Sequence, residues 1–332
     1  MVEVINALLL IFMSVTAVAI VRQNNLFVVV MMSSVFSLLS AGMFVMLDAV
    51  DVAFTEAAVG AGISTILMLG VLSLTKSRER IPLSIPTAPV VVVLLAGAAL
   101  IYAALGMPEF GAADAPIHGH VAPRYIQQSG AEVGLPNIVT SVLASYRGFD
   151  TLGEVTVIFT AGIGVMLLLG LRRRVSEDGT STAPPAPGEG HMRHHLVLRV
   201  TAKLLIPFVL LFALYVQFHG DFGPGGGFQA GVIFAVAFVL YALVFGIKNA
   251  RNVVPEGLAR FLIAAGVLLY AGVGVAGLLL GGNYLDYNVL AHEPTHGQHL
   301  GILLIEFGVG TTVAAVMVTL FFSFARRAGW EP

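Results

Sequence analysis

The chain has 332 residues, of which 57% are hydrophobic and 11% charged, with a formal net charge of −2 and no cysteine. Soluble domains carry about a quarter charged residues, so the charge deficit, more than the apolar excess, marks an all-α polytopic integral membrane protein. The charge balance argues against a nucleic-acid partner, and the lack of cysteine removes disulfides, thiolate metal sites, iron–sulfur clusters and c-type haem attachment.

Crossing the hydrocarbon core takes about twenty apolar residues. Nine runs qualify: 4–21, 25–47, 52–74, 88–106, 151–171, 197–218, 228–247, 260–281 and 300–324. The first lacks a basic leader region and a small-residue cleavage site, so it reads as a retained span. Ser33, Ser37 and Ser40 recur along the second as a helix-packing stripe. The third, "DVAFTEAAVGAGISTILMLGVL", holds Glu56 about one turn inside, with Thr55 before it and Gly60 and Gly62 after it.

A hydrophilic stretch, 107–150, follows the fourth run and carries Pro108, Pro116, Pro123 and Pro136. Its end, "PNIVTSVLASYRGFD", places Ile138, Val139, Val142, Leu143 and Tyr146 at helical spacing. Pro136 can open that helix and Gly148 can end it. The segment is too short to span and is expected either to lie in the membrane interface or to pack as an ordinary loop helix on neighbouring protein. Glu154 sits near the start of the fifth run. Residues 172–195 are rich in Ser, Thr, Pro and Gly, which suits a flexible tether between two modules.

Lys203 lies in the sixth run, within "LRVTAKLLIPF". Between the sixth and seventh runs stands "HGDFGPGGGFQAG". A phosphate loop would follow a strand and carry a nearby Lys, so nucleotide binding is rejected. Pro224 breaks the chain, and Gly225, Gly226 and Gly227 permit close backbone approach. The next helix then begins with free amides, and either a short re-entrant turn packed on protein or a plain tight hairpin between helices is expected. His219 and Asp221 tilt this turn towards an ion-lining role.

After the eighth run, His292, His296 and His299 have metal-like spacing, but Pro294 and Gly297 are expected to interrupt a helix that would align them. Proton uptake fits these histidines better than a metal does. No histidine lies deep in an apolar run, which argues against bis-histidine haem; no cofactor is expected. Glu306 lies about two turns into the ninth run.

Lys and Arg gather at alternate loops and span ends, which predicts an external N-terminus and a cytoplasmic C-terminus. Glu56, Glu154 and Glu306 then share the outer half of the membrane, and Lys203 lies in the inner half. Ionisable groups within spans are costly and ask for a partner or a pathway. Two readings stand: a protonatable or cation-binding chain, or structural acids that snorkel or bond a neighbouring helix.

Three motifs carry a family resemblance. "PGGGFQAGVIFA" with "HLGILLIEFGVGTTVAAVMV" resembles the MnhB/MrpB subunit of Mrp-type multisubunit cation/proton antiporters. "DVAFTEAAVGAGISTILMLGVL" resembles the MbhD-type module of membrane-bound hydrogenases, and "YRGFDTLGEVTVIFTAGIGVMLLL" the MbhE-type module that follows it in the large Mrp A subunit. The implied organisation is an MbhD-like module with an additional span (1–106), an outer loop with an MbhE-like span (107–171), a linker (172–195) and an MnhB-like four-helix module (196–332). The resemblance implies a role as one component of a Na⁺/H⁺ antiporter in a bacterial or archaeal cytoplasmic membrane, with large antiporter-like and small membrane subunits as partners. It marks Glu56, Glu154 and Glu306 as motif acids and Pro224 to Gly227 as a family turn. Large Mrp A subunits often show a second acid just after the position of Glu56; here Ala57, Ala58, Val59 and Gly60 follow. That departure keeps two alternatives open: a membrane-arm subunit of a hydrogenase-like or complex I-like oxidoreductase, and a non-transporting scaffold.

Overall fold

The computed structural model describes residues 2–79, 87–109, 111–171 and 195–329. Nine helices among them are long and apolar enough to cross a membrane. They are α1 (Val2–Arg22), α2 (Leu26–Met46), α3 (Val50–Leu72), α4 (Thr87–Leu105), α5 (Gly148–Leu171), α6 (Leu196–His219), α7 (Gly227–Phe245), α8 (Glu256–Leu279) and α9 (Pro294–Arg327). Each expected run corresponds to one of them. The described residues contain no strand, only one isolated bridge between Asn25 and Arg78. Residues 172–194 of the expected tether (172–195) lie outside the described residues, as do Arg80, Arg172 to Arg174 and Arg193.

α9 is the longest helix and the most buried, and it packs against α5, α7 and α8. Its glycines explain how. A Cβ on Gly231 of α7 would lie 2.6 Å from the carbonyl oxygen of Gly310 in α9. Such an approach of backbones is open only to small residues, the usual device where lipid supplies no hydrophobic drive for helix association. α1, α2 and α3 form a second packed group, and α3 touches α7. No residue of α4 is buried, and Leu100, Tyr102 and Leu105 stand wide open.

Two features depart from plain α-helix. α3 passes through a π-turn at Ala57–Ile63, directly after Glu56. The segment expected as an interfacial helix forms one α-turn at Ile138–Thr140 and then a π-helix at Ser141–Tyr146. Its cap is Asn137, whose Oδ1 accepts from the Val139 amide at 3.0 Å. Its buried face is Thr140, Ser141 and Ala144, while Ile138, Val139 and Leu143 are exposed. The tight face is thus the one with small side chains, which let this segment lie against protein. Two buried tyrosines fasten it: Tyr287 Oη donates to the Ala144 carbonyl at 3.0 Å, and Tyr270 Oη to the Gly148 carbonyl at 2.8 Å.

α9 also begins earlier than its apolar run. Pro294 occupies its first turn, where a missing N–H removes no helical bond, and Gly297 continues the helix while lying close to the Tyr287 carbonyl.

Replacing Gly231 with Val forces its side chain into the Gly310 backbone and is expected to destabilise the protein by roughly 1–3 kcal/mol. Thermal unfolding of the purified protein in detergent checks this, with Gly257→Ala, which meets nothing within 4 Å, expected to be near neutral.

Candidate functional site

The site starts from the turn between α6 and α7. Gly226 adopts φ of 127°, which only glycine takes readily. The turn is tied from three sides. The Gly226 amide donates to the Val216 carbonyl at 3.1 Å, and the Gly225 amide donates to Asp51 Oδ1 on α3 at 3.1 Å. Asn137 Nδ2 donates to the carbonyls of Gly220 and Gly223 at 3.0 and 2.9 Å, and the Asn137 amide donates to the Asp221 carbonyl at 3.0 Å. Thr140 Oγ1 adds a bond to the Gly220 carbonyl at 2.6 Å. Non-helical backbone at membrane depth must be satisfied by protein, and here it is.

Glu306 of α9 sits inside the curve of this turn. Its Oε1 lies 3.3 Å from where a Gly226 side chain would begin, and its Oε2 equally far from the corresponding point at Gly220. The carboxylate therefore rests at the N-terminal end of α7, where the helix dipole favours negative charge while burial opposes it.

A cavity of about 620 Å³ opens beside it. Its wall takes Asp51 and Thr55 from α3, Thr140 from the short helix, Thr151 and Glu154 from α5, and Glu306 from α9. Three carboxylates from three stretches of sequence thus border one space. The hydroxyls are already committed as donors: Thr55 to the Asp51 carbonyl at 3.0 Å, Thr151 to the Leu143 carbonyl at 2.8 Å, Thr140 to Gly220 as above. Their oxygen lone pairs are what remains for a guest. The wall is otherwise mostly apolar, including Val52, Val139, Leu143 and Val309.

Among the residues singled out from sequence, Glu154, Glu306, Gly225, Gly226 and Gly227 meet here. Glu56 does not line the cavity. It turns towards α2, and its Oε1 and Ser37 Oγ both lie 2.6 Å from the point where a Gly60 side chain would start. Asp221 is buried behind the turn and pairs with His299 Nδ1 at 2.9 Å. Burial pushes its carboxyl above the ordinary carboxylate value, against the opposing pull of His299. His219 stacks on Tyr215, and Pro224 is exposed at the tip of the turn. His296 pairs instead with Glu293 at 3.4 Å, so His296 and His299, both in the first turns of α9, look to separate carboxylates. Lys203 is exposed on α6, its Nζ 5.9 Å from the ring centre of Phe245, which ends α7 at the opposite end of the bundle.

Sequence reasoning missed Asp51 and Asn137. Asp51 stands one residue ahead of the third apolar run, 52–74, and Asn137 directly after Pro136, where neither is out of place by composition. Their partners are backbone groups 174 and about 85 positions away, which periodicity cannot reveal.

Comparison with known proteins places these elements. Residues 197–319 match the domain related to the MnhB subunit of Na⁺/H⁺ antiporters. Over 133 residues the chain is 32% identical to a protein of Staphylococcus haemolyticus named for antiporter subunit mnhB2, covering 94% of that protein and 39% of this chain. The chain belongs to the MnhB family. Ahead of the MnhB segment, residues 11–77 match the MbhD family of MBH components, and residues 88–186 match the MbhE family. A Rhizobium meliloti protein named as a probable A/B component of a K⁺/H⁺ antiporter is 24% identical over 311 residues, 87% of this chain. The chain spans 31% of that relative's length. The Mrp complex of Dietzia sp. DQ12-45-1b contains a similar chain, with TM-score 0.74 and 27% identity, covering 96% of this chain and 34% of that one. An archaeal membrane-bound sulfane sulfur reductase has a chain with TM-score 0.54 and 29% identity, covering 71% of this chain and 96% of its own.

Asn137→Ala takes the Asn137 donor from the Gly223 carbonyl and leaves the Gly220 carbonyl to Thr140, and is expected to cost about 1–3 kcal/mol locally. Hydrogen exchange at residues 220–226 should speed up while the mid-helix amides of α9 keep their protection. Because the folded Asp221 carboxyl titrates above its unfolded value, its contribution to stability is present below the unfolded pKa and lost as pH rises through the folded one. Asp221→Asn should flatten that decline in a pH series of unfolding temperatures.

Proposed function

We propose that this chain is one component of a multisubunit cation/proton antiporter and forms part of its outer ion or proton path. The observation that carries the reading is the single cavity bordered by Asp51, Glu154 and Glu306. Na⁺ or K⁺ would enter from the turn end, which the distribution of Lys and Arg makes the outer face. The N-terminus is then external, the C-terminus cytoplasmic, and the membrane a bacterial or archaeal cytoplasmic one.

The chemistry follows from the donor set. Hard cations take oxygen ligands, and the cavity offers carboxylates together with threonine oxygens whose protons point elsewhere. Its volume leaves room for several waters, so the ion need not shed its whole shell at once. Protonation of Glu306 removes the negative charge and releases the cation, and deprotonation restores the site; that alternation is the elementary act of exchange. Asp221 and His299, on the other side of the turn, supply a protonatable pair near the surface. Glu56 takes the ion or proton onward towards Ser37, and Lys203 belongs to the inner half of the path. Neighbouring membrane subunits supply the main pumping groups, and this chain itself catalyses no reaction.

A second reading has a specific observation behind it: the likeness to the sulfane sulfur reductase chain. In that reading the same architecture serves the membrane arm of an oxidoreductase. Purification of the intact complex separates the two: partners that are all membrane subunits support the antiporter, and iron–sulfur partners support the alternative.

In everted vesicles, Glu306→Gln and Glu56→Gln are each expected to bring cation-dependent proton release down to the background of vesicles lacking the complex, with assembly intact. Glu154→Gln, on the open side of the cavity, should slow exchange without abolishing it. Wild-type exchange in Glu306→Gln would remove the cavity from the path.

A further inference from the structure

The opposite end of the bundle holds a second constellation. Glu256 opens α8, and three arginines gather on it. Arg251 Nη2 lies 3.0 Å from Glu256 Oε1, Arg326 Nη1 lies 3.2 Å from the same oxygen, and Arg260 Nη2 lies 3.7 Å from Oε2. They come from the short helix Ile247–Val253, from the last turn of α9 and from α8. A guanidinium carries five N–H donors and a carboxylate about four lone-pair positions. The one carboxylate that Arg260 and Arg326 both reach therefore cannot accept from all their donors.

A cavity of about 270 Å³ lies against two of these arginines, Arg260 and Arg326. Thr319 and Ser323 also line it, but both hydroxyls donate to their own helix, to the Ala315 carbonyl at 2.7 Å and the Thr319 carbonyl at 2.8 Å. Arg260 Nε donates to the Glu256 carbonyl at 3.2 Å, so the donors left to this cavity are Nη groups of Arg260 and Arg326. Arg326 touches Glu256 through Nη1 alone, and the Arg260 side chain is 62% exposed. Beside the cavity the seam between α5, α8 and α9 is apolar: Phe159, Met166, Leu262 and Leu320 lie half-buried against Ile263 and Val316.

We propose that this cavity binds the phosphate of an anionic phospholipid, with Arg260 and Arg326 as donors and an acyl chain along the Phe159–Leu262 seam. The planar guanidinium fork matches a phosphodiester, and basic pockets between membrane helices hold such headgroups. The apolar seam selects lipid over free phosphate, which has nothing to lay along it. Glu256 orients the two arginines without neutralising them. The site lies at the other end of the helices from the cavity bordered by Asp51, Glu154 and Glu306.

The test uses the intact complex, washed extensively in detergent. Native mass spectrometry counts retained phosphatidylglycerol and phosphatidylcholine, and unfolding temperature is read after adding either lipid or inorganic phosphate. Wild-type protein is expected to retain phosphatidylglycerol preferentially, with retention falling roughly fivefold for each of Arg260→Gln and Arg326→Gln. Glu256→Gln removes the competing carboxylate and should retain as much anionic lipid as wild type, or more. Wild-type retention in the double arginine variant would overturn the site. Loss in Glu256→Gln equal to that in the double variant would show a structural ion-pair cluster and overturn it as well. Protection by inorganic phosphate equal to that by phosphatidylglycerol would overturn the lipid assignment.

Discussion

The site depends on how closely α7 can approach α9. A Cβ at Gly231 would lie 2.6 Å from the Gly310 carbonyl, and one at Gly310 would lie 3.1 Å from the Gly227 carbonyl. With larger residues there, α7 would stand off from α9 and Glu306 would no longer lie within the curve of the turn. In a bilayer the hydrophobic effect does not hold two apolar helices together, so van der Waals contact and backbone proximity must. The small residues of α7 and α9 are therefore the condition for the carboxylate's position, rather than a consequence of it.

The turn itself is the second condition. Irregular backbone at the edge of a membrane is tolerated only if every amide and carbonyl finds a partner. Asp51, Asn137 and Thr140 provide those partners from outside the MnhB segment. The same contacts bring α3 and the start of α5 to the cavity. Binding the turn and bordering the cavity are thus one arrangement: Asp51 does both, accepting from Gly225 and standing in the cavity wall.

Much of this was legible in the residues. Nine apolar runs became nine helices, because hydrocarbon thickness sets a length that composition reports directly. Glu154, Glu306 and the glycine turn were visible as acids and glycines out of place in apolar runs. What the pattern could not show was direction. Glu56 and Asp51 lie five positions apart on one helix, yet only Asp51 meets the cavity, since at 3.6 residues per turn their bearings differ by about 140°. The helix at 138–146 was legible as a helix but not in its packing. Its apolar side chains look outward, and its small polar ones are buried by a turn 80 residues further on. Long-range hydrogen bonds of that kind leave no periodic trace.

The staphylococcal relative aligns with little beyond the MnhB segment of this chain, whereas here Asp51, Asn137 and Glu154 are carried by the same polypeptide as Glu306. Covalent linkage turns an encounter between separate molecules into an internal one, with an effective concentration set by the chain rather than by expression level. The three carboxylates are consequently present in equal number in every copy, and dilution in the bilayer cannot separate them.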